Sequence, residues 1–444
     1  MLLNCHTYYS FGYGTFSPEE LLALVKTRGY STFALTDINN TSAVFDTIRL
    51  SKEYGIKPVI GIDFRTGAKQ HFVGLAKNNE GFYELNEHLS SILHHPDQFE
   101  NSKIRKLEDS PSSNGYQYSN LRIFQSSNVF IVYPLSNYRG QPLSENEFIG
   151  VSIKDLPSLP FNPFVAPLLR RGGAYASARG GGEVRLVCLQ TLSFENKRHF
   201  NAHRLLRAID KNTLLSKLPP EEQGTIHEMP VSHADMRLAY AMYPEIIYNT
   251  ERILEECNVD FEFGKFANKN LKHFTGTRDG DMQLLRDECA KYLPYRYPEI
   301  TNTVVDRLEK ELDVIDQMGF ASYFLINWDL VNYARHKNYY YVGRGSGANS
   351  MVAYLLRITD VDPIDLDLYF ERFINPFRTT PPDFDIDFSW TDRDDITEYI
   401  FKKYDKGRAA LLGSYATYQH DAVTRELGKV FGLPPGEIDR LQRA

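Results

Sequence analysis

Three aspartates alternate with apolar residues in the run Pro382-Asp-Phe-Asp-Ile-Asp-Phe388. Side chains alternate between the two faces of a strand, so this run predicts a half-buried strand with its three carboxylates on one face. Aspartate is uncommon in strands, and like charges this close repel one another unless a divalent cation neutralises them. Asp383, Asp385 and Asp387 therefore indicate a centre for metal-assisted phosphoryl transfer. The alternative is an acidic strand on the protein surface.

The composition is that of a globular protein. The chain has 444 residues, of which 42% are hydrophobic and 24% charged, and this length predicts two to three domains. Its apolar stretches are shorter than the roughly 18 residues of a membrane-spanning helix, and the amino terminus lacks a signal-peptide pattern. We therefore expect a cytoplasmic protein with no membrane partner. The net charge of −7 leaves nucleic-acid binding open, because an acidic average can conceal a basic groove.

The cysteines do not follow the spacing of a metal site. Cys5, Cys188, Cys257 and Cys289 are far apart in the chain, and none is part of a CxxC pair. This spacing argues against a zinc site and against a disulfide framework. We expect buried free thiols.

The first 65 residues alternate between helix and strand signals. Ser17 is placed to cap a helix, with Pro18 at its first position and Glu20 completing a capping box. The predicted elements are a helix from Pro18 to about Arg28, a strand over 32–35, a helix over 43–54 and a strand over 57–64. Such alternation predicts parallel β/α units.

Polar residues stand near the ends of these strands. The ligands of parallel β/α units collect at the carboxyl ends of the strands. His6, Asp37 and Asp63 lie near such positions. They are therefore candidates for a site in the first part of the chain.

Two later segments have the composition of loops. Residues 101–118 are rich in Ser, Asn and Lys. Residues 170–182 combine five glycines with three arginines, a composition that a phosphate cradle or an RNA-binding tract can have. The residue order of a P-loop is absent from this segment. We interpret 170–182 as a flexible insertion.

From about Leu205 onward the chain carries helix signals. Leu308, Leu312 and Ile315 form an apolar stripe at helical spacing that ends at Gly319. The predicted elements that follow are a helix over 323–337, a strand over 338–342, a glycine-rich loop over 343–350 and a helix over 351–357. The order is strand, loop, helix.

The glycine-rich loop has the features of a phosphate site. Glycines let a ligand approach the backbone, and the amino end of the next helix would present N–H groups that suit phosphate. Arg344 and Ser346 add side-chain donors. A lone loop of this kind can be only a tight turn, but Asp383 stands 37 residues beyond Ser346. A phosphate cradle and metal-binding carboxylates would then lie in one folding unit.

Two arginines stand shortly before the aspartates. Arg372 and Arg378 add positive charge just upstream of the acids. Either could instead be a structural ion-pair partner, and for Arg372 the neighbouring Glu371 is the candidate.

Four motifs of this region occur together in a known family. They are Gly343-Arg-Gly-Ser-Gly-Ala-Asn-Ser-Met-Val-Ala-Tyr354, Ile358-Thr-Asp-Val-Asp-Pro363, Leu368-Tyr-Phe-Glu-Arg-Phe-Ile-Asn-Pro376 and Pro382-Asp-Phe-Asp-Ile-Asp-Phe388. In this order and spacing they resemble the bacterial replicative DNA polymerase III alpha subunit. The resemblance extends over the full chain.

The resemblance implies an α/β fold in three parts. A polymerase-and-histidinol-phosphatase (PHP) domain of the β/α-barrel type would span 1–250. The first segment of a mixed α/β palm, related to the polymerase-beta nucleotidyltransferases, would span 251–413, and a helical thumb would begin over 414–444. The third catalytic aspartate of the family lies beyond the thumb. We therefore expect a fragment that is inactive alone, whereas the complete protein would polymerise DNA.

The resemblance also implies roles for the polar residues of the palm. Asp383 and Asp385 would be the catalytic pair that binds two Mg²⁺ ions, with Asp387 in support. The nucleotide-binding residues would be Gly345, Ser346, Arg344, Arg372 and Arg378. The implied partners are primer-template DNA and deoxynucleoside triphosphates. A sliding clamp and other subunits of a nucleoid-associated bacterial replisome would bind through regions absent from this chain.

The PHP pattern itself is incomplete. The family holds three metal ions with nine ligands, and the corresponding positions here include Asn4, His6, Asp37, Ile38, Asp63, His71, Thr191 and Ser193. Isoleucine cannot ligate a metal, and Asn, Thr and Ser are poor replacements for His or Asp. We therefore expect no PHP metal and a scaffold domain in which His6, Asp37 and Asp63 form a hydrogen-bonded cluster. The alternative is a PHP-centred phosphoesterase or 3′-5′ exonuclease.

Overall fold

The computed structural model describes most of the chain. The described residues are 1–94, 127–140, 142–166, 185–263, 273–375, 377, 382–404 and 409–443. Three predictions fall outside these ranges: the loop over 101–118, the insertion over 170–182 and the role of Arg378.

The chain divides into two compact units. The first consists of Met1–Phe263 together with Thr417–Ala444, and the second of Gly264–Ala416. The three-domain division at residues 250 and 413 stays a prediction.

Ten strands are described, and eight of them form one sheet in the first unit. They are β1 Asn4–Cys5, β2 Thr32–Leu35, β3 Lys57–Thr66, β4 Lys69–Ala76, β5 Val129–Pro134, β6 Glu147–Val151, β7 Leu186–Cys188, β8 Thr191–Leu192, β9 Tyr341–Arg344 and β10 Asp385–Phe388. The large sheet has the order β7-β6-β5-β4-β3-β2-β1-β8, and β9 pairs with β10 in the second unit. Only the β3–β4 and β4–β5 pairs of the large sheet are antiparallel.

Thirteen α-helices are described. They are α1 Pro18–Thr27, α2 Val44–Tyr54, α3 Asn79–His94, α4 Lys197–Asp210, α5 His233–Ala239, α6 Pro244–Glu256, α7 Arg278–Arg296, α8 Asn302–Gln317, α9 Ala321–His336, α10 Met351–Leu355, α11 Arg393–Tyr404, α12 His420–Phe431 and α13 Pro435–Arg443. None of these described helices combines the length and the apolar character that crossing a membrane requires.

The large sheet is buried on both faces. On β3, Ile60 and Ile62 belong to one apolar cluster, while Val59 belongs to a second cluster. Ile253 and Leu254 of α6 pack in that second cluster. Burial of both faces explains why these strands are nearly continuous apolar runs, as is typical of parallel sheets. The predicted α/β class is confirmed.

The local predictions for the first 65 residues are confirmed. The Ser17 hydroxyl accepts from the Glu20 amide, and the Glu20 carboxylate accepts from the Ser17 amide, which completes the capping box of α1. β2, α2 and β3 lie where the sequence predicts them, and β2 runs parallel to β3.

The four cysteines are buried free thiols, as predicted. Burial raises the pKa of Cys188 to about 11 and that of Cys257 to about 12. Such thiols remain protonated at neutral pH and are poor nucleophiles.

The second unit has a core formed by helices. Leu308, Leu312 and Ile315 of α8 are buried there, which confirms the predicted stripe. Phe324 of α9 and Val352 of α10 belong to the same cluster. α9 begins at Ala321 and ends at His336, close to the predicted bounds.

Both strands of the second unit are shorter or shifted relative to the prediction. The predicted strand over 338–342 is observed as Tyr341–Arg344, because Asn338 has φ +58° and the Tyr339 amide still bonds to Ala334 at the end of α9. The predicted strand over 382–388 begins only at Asp385. The Phe384 amide donates to the Tyr323 hydroxyl (3.1 Å) rather than to a neighbouring strand.

Candidate functional site

The register of β9 and β10 places the carboxylates beside the glycine-rich loop. Asp385 is opposite Arg344, and Asp387 is opposite Val342, in an antiparallel pair. Residues directly opposite each other point to the same face of a sheet. Asp385, Asp387 and Arg344 therefore share one face, while Ile386 packs against the apolar core.

Arg344 bridges the two carboxylates. Its Nε donates to Asp387 Oδ2 at 2.7 Å, and its Nη1 donates to Asp385 Oδ2 at 3.2 Å. The Arg344 side chain is 58% exposed, that of Asp387 is 57% exposed and that of Asp385 is 45% exposed. At this exposure water screens the ion pairs, so an incoming cation can displace the guanidinium at low cost.

Gly345 makes the close approach of loop and strand possible. Its φ is +71°, a conformation that favours glycine, and an added Cβ would lie 2.4 Å from Asp385 Oδ2. A side chain at this position would displace the carboxylate. The backbone of the loop is therefore in direct contact with a predicted metal ligand.

Asp383 is close in sequence but precedes β10. Its side chain is exposed, and the preceding Pro382 is buried. The next residue, Phe384, is anchored by ring contacts to Phe324 (5.2 Å) and Phe373 (4.9 Å) between centroids. The prediction that all three aspartates lie within one strand is wrong for Asp383, because Phe384 is held by the core and not by the sheet.

The amino end of α10 does not present free N–H groups to a ligand. The buried Glu311 carboxylate of α8 accepts from the Met351 and Val352 amides at 3.0 and 3.1 Å and from the Ser350 hydroxyl at 2.8 Å. The expectation that this helix end binds phosphate is therefore wrong, because an internal carboxylate already occupies it. Burial raises the pKa of Glu311, against the lowering effect of these hydrogen bonds and of Arg307.

The same carboxylate fixes the loop. Arg307 donates to Glu311 Oε1 at 2.6 Å and also to the Asn349 carbonyl at 2.9 Å. Asn349 in turn donates from its side chain to the Ser346 carbonyl at 2.9 Å. The loop that carries Gly345 and Ser346 is thus attached to the core of the second unit at several points.

A cavity of about 320 Å³ opens beside the loop. It is lined by Gly345, Ser346, Ala348, Asn349, Leu368 and Arg372. The alternative that Arg372 pairs with Glu371 is not observed, since the Glu371 carboxylate pairs with Lys310. Within the described ranges no carboxylate lies within ion-pair distance of Arg372, so its exposed guanidinium can meet a ligand in the cavity.

The residues at the incomplete PHP positions come together in the first unit. His6 Nε2 lies 3.1 Å from Asp63 Oδ2, and His6 Nδ1 lies 2.8 Å from the Ser193 hydroxyl. The Asn4 side-chain amide donates at 3.0 Å to both Asp63 Oδ2 and the Thr191 hydroxyl. The predicted hydrogen-bonded cluster is confirmed for His6 and Asp63, whereas Asp37 bonds to other residues.

The other predicted PHP positions have separate roles. Asp37 accepts from the Thr7 amide, the Thr7 hydroxyl and the Ser10 hydroxyl at 2.6 to 2.7 Å. Burial raises the pKa of Asp37 in spite of these hydrogen bonds. Ile38 forms a bridge with Asp63 and supplies no ligand atom, and His71 Nε2 lies 2.8 Å from the Thr66 hydroxyl.

An arginine that sequence reasoning missed lies at the centre of the cluster. Arg65 contacts Asp63 Oδ2 through Nε at 2.9 Å and through Nη2 at 2.7 Å, and both side chains are at most 5% exposed. Its guanidinium also lies 4.9 Å from the centroid of the Tyr13 ring. The sequence feature that could have identified Arg65 is its position on β3, two residues after Asp63 and on the same face of a buried strand.

The donors around Asp63 Oδ2 do not match those of a metal site, while Asp63 Oδ1 is buried with no hydrogen-bond partner among the described residues. Asp63 Oδ2 accepts from Asn4, Arg65 and Gln70, and it also faces His6. Although burial alone would raise the pKa of Asp63, the charge of Arg65 together with the contacts from His6 and Arg65 lowers that pKa. A guanidinium thus supplies the positive charge at this carboxylate. Among the described residues, no group of three or more His, Cys, Asp or Glu side chains is arranged to hold a metal ion.

Two family models match separate parts of the chain. Residues 3–122 match the PHP domain, and residues 283–444 match the bacterial DNA polymerase III alpha NTPase domain. The chain is therefore similar to a PHP domain in its first part and to a polymerase III alpha domain in its last part.

Curated relatives match the chain over nearly its whole length. A DNA polymerase III subunit alpha from Bacillus subtilis is 30% identical over 99% of this chain and 39% of its own length. The Escherichia coli (strain K12) subunit alpha is 28% identical with the same coverage. An error-prone DNA polymerase from Symbiobacterium thermophilum is 27% identical over 99% of this chain and 42% of its own. We identify the chain as a relative of the bacterial DNA polymerase III alpha subunits, and it spans about two fifths of their length.

The buried ion pair gives a stability prediction. Replacing Arg65 by Met leaves Asp63 buried without its counter-charge, so we expect R65M to lower the free energy of unfolding by about 3–5 kcal/mol at pH 7. The pair lowers the pKa of Asp63, so its stabilisation is present above the unfolded pKa of about 3.9 and is lost as the pH falls further. Urea unfolding followed by circular dichroism measures the change.

A matched control is Arg49→Met. Arg49 pairs with Asp46 on α2, where the two side chains are 63% and 47% exposed. We expect a loss of at most about 1 kcal/mol for this variant, because water screens an exposed pair. Equal stabilities of R65M and the unsubstituted protein would contradict the role assigned to Arg65.

Proposed function

We propose that this chain carries part of the nucleotidyl-transfer centre of a DNA polymerase, which adds deoxynucleoside triphosphates to a primer 3′-hydroxyl as a template directs. The observation that carries the proposal is the contact between the Gly345 backbone and the Asp385 carboxylate across β9 and β10. It brings a predicted phosphate-binding loop and a predicted metal ligand into one site. The names of the relatives support the same class of reaction.

The carboxylates fit a magnesium site in their chemistry. Mg²⁺ prefers oxygen ligands and is held by one or two carboxylates together with substrate phosphates. Asp383 and Asp385 would hold the ions, with Asp387 in support. The missing side chain at Gly345 leaves room beside Asp385 Oδ2. When bound, the ions would lower the pKa of the primer hydroxyl and neutralise the triphosphate.

The residues around the cavity would bind the triphosphate. Ser346 offers a hydroxyl and Arg372 a guanidinium, and both line the cavity beside Gly345. Arg344, displaced from Asp385 by a metal ion, would place a positive charge at the edge of the loop. Guanidinium groups stabilise the charge that develops on a phosphoryl group during transfer.

The PHP domain would act as a scaffold. In the cluster around Asp63, the Oδ2 oxygen already accepts from Arg65 and from the neutral donors Asn4 and Gln70. This arrangement argues against a PHP-centred phosphoesterase or exonuclease as the second candidate. Primer-template DNA and deoxynucleoside triphosphates would be the partners, with a sliding clamp and other replisome subunits bound by the complete polymerase.

The roles of the three aspartates can be separated by one substitution made at three positions. In the complete polymerase that contains this chain, we expect Asp383→Asn and Asp385→Asn each to lower primer extension by about a thousandfold or more, since each removes a charge that positions metal and phosphate. Asp387→Asn is the matched control, because Asp387 is on the same face and shares Arg344. We expect a much smaller loss for it. Single-nucleotide incorporation measures all three.

An equal loss in all three aspartate variants would contradict the assignment of a working pair. Normal incorporation by the Asp385→Asn variant would contradict the proposed function itself.

The contact at Gly345 predicts that alanine at this position lowers nucleotide incorporation more than alanine at another glycine with a similar φ. Gly345→Ala brings both backbone strain and a clash with Asp385, so we expect incorporation to fall by about a hundredfold, as for a small misplacement of reacting groups. Gly319→Ala is the control, because Gly319 has a similar φ of +69° and open space around its Cβ position. Both variants should lose about 1–2 kcal/mol of stability. Equal incorporation by the two variants would show that the Gly345 contact is unimportant for catalysis.

A further inference from the structure

A series of arginine and tyrosine contacts lies on the second unit, on the face of β9 opposite the carboxylates. Tyr341 and Arg344 are three residues apart on the strand and so point to opposite faces. The Tyr341 hydroxyl donates to the Arg357 carbonyl at 2.6 Å and accepts from Arg335 Nη1 at 3.2 Å. The Arg335 side chain and the Arg357 backbone therefore meet at one tyrosine. We call Arg296, Arg335, Arg357, Tyr295 and Tyr341 the cation–tyrosine surface.

An exposed aromatic ring extends this surface. The Tyr295 side chain is 65% exposed. The guanidinium of Arg296 lies 5.9 Å from the centroid of its ring, and that of Arg357 lies 5.6 Å from it. Cation–π attraction at these distances holds the ring and the charges together. The ring is therefore an accessible stacking platform bordered by positive charge.

The positive charge of the surface is only partly compensated. Arg296 pairs with Asp360 at 2.8 Å and also donates to the Tyr354 and Thr359 carbonyls. In the part of the chain that the structure describes, no carboxylate lies within ion-pair distance of Arg335 or Arg357. Both side chains are half-buried, so each keeps its charge close to the protein surface. Two such cations on neighbouring elements attract an anionic ligand.

The backbone at Arg357 points to a use for its side chain. Arg357 has φ +62°, in the left-handed region that glycine occupies most readily. It follows the end of α10, where glycine is the usual residue. An arginine at such a position brings a long cationic side chain beside Tyr295, although its backbone adopts a conformation that is unfavourable for a residue with a side chain.

We propose that the cation–tyrosine surface binds single-stranded nucleic acid, with phosphates at Arg335 and Arg357 and one base stacked on Tyr295. Basic groups that follow the backbone and aromatic rings that stack on bases are the two features by which proteins hold single strands. A duplex would leave the exposed ring without a base, because its bases are stacked on one another. The surface uses neither Asp383 nor Asp385, so it adds a binding site to the proposed polymerase centre.

The test is the binding of a fluorescein-labelled dT12 oligonucleotide to the 444-residue chain, followed by fluorescence anisotropy between 50 and 200 mM salt. We expect Arg335→Gln with Arg357→Gln to weaken binding about tenfold or more and to reduce the salt slope by about 1.4, the value for two lost phosphate contacts with a single strand. Tyr295→Ala should weaken binding by about fivefold or more, with little change in the salt slope.

A double control removes the same charge elsewhere in the second unit. Arg278 and Arg286 are partly exposed and pair with Asp316 and Glu309, so Arg278→Gln with Arg286→Gln should leave dT12 binding nearly unchanged. Circular dichroism confirms that each variant is folded.

Three outcomes would overturn the proposal. They are unchanged dT12 binding in the Arg335 and Arg357 double variant, an equal loss in the control, and preferential binding of a poly-glutamate peptide at the same ionic strength. Nucleotide incorporation by the Asp383 and Asp385 variants reports on the proposed polymerase function separately, because dT12 binding requires neither carboxylate.

Discussion

The antiparallel pairing of β9 with β10 is the interaction on which the candidate site depends. It joins segments about 41 residues apart and sets Arg344 opposite Asp385. A shift of one residue would turn Asp385 to the core and Ile386 to solvent. The core prevents such a shift, because Ile386 and Phe384 pack into the same apolar cluster as α8, α9 and α10. The hydrophobic contacts of the second unit therefore determine where the carboxylates lie.

Two arginine–aspartate pairs in this chain have opposite consequences. The Arg65–Asp63 pair is buried, so its charges cannot be separated without a large desolvation penalty, and the cluster around it excludes a competing cation. The Arg344–Asp385 pair is about half exposed, and water reduces the energy that holds it together. The same chemical pair is therefore hard to separate in the first cluster and easy to separate in the second unit. Burial, more than residue type, decides how readily another cation can replace the arginine at each aspartate.

The sequence predicted local features well and distant contacts less well. The capping box at Ser17 and the apolar stripe of α8 depend on residues only a few positions apart, so their pattern is visible in the chain. Glu311 lies 40 residues from the Met351 amide that it caps, and no local pattern announces that contact. Arg65 is only two residues from Asp63, but the burial that makes this pair important depends on His6 and Asn4, which reach Asp63 from a distant part of the chain. The family motifs supplied the candidate residues of the palm, and the structure added the contacts between them.

The proposed location of the metal site is tested most directly by the position of bound Mn²⁺ in crystals of this chain soaked with Mn²⁺ and a deoxynucleoside triphosphate. Anomalous diffraction locates the ion without reference to activity. We predict density beside Asp383 and Asp385, next to the loop that carries Gly345 and Ser346, and none at Asp63. Density at His6 and Asp63, with the palm carboxylates still paired to Arg344, would contradict the assignment of the catalytic centre.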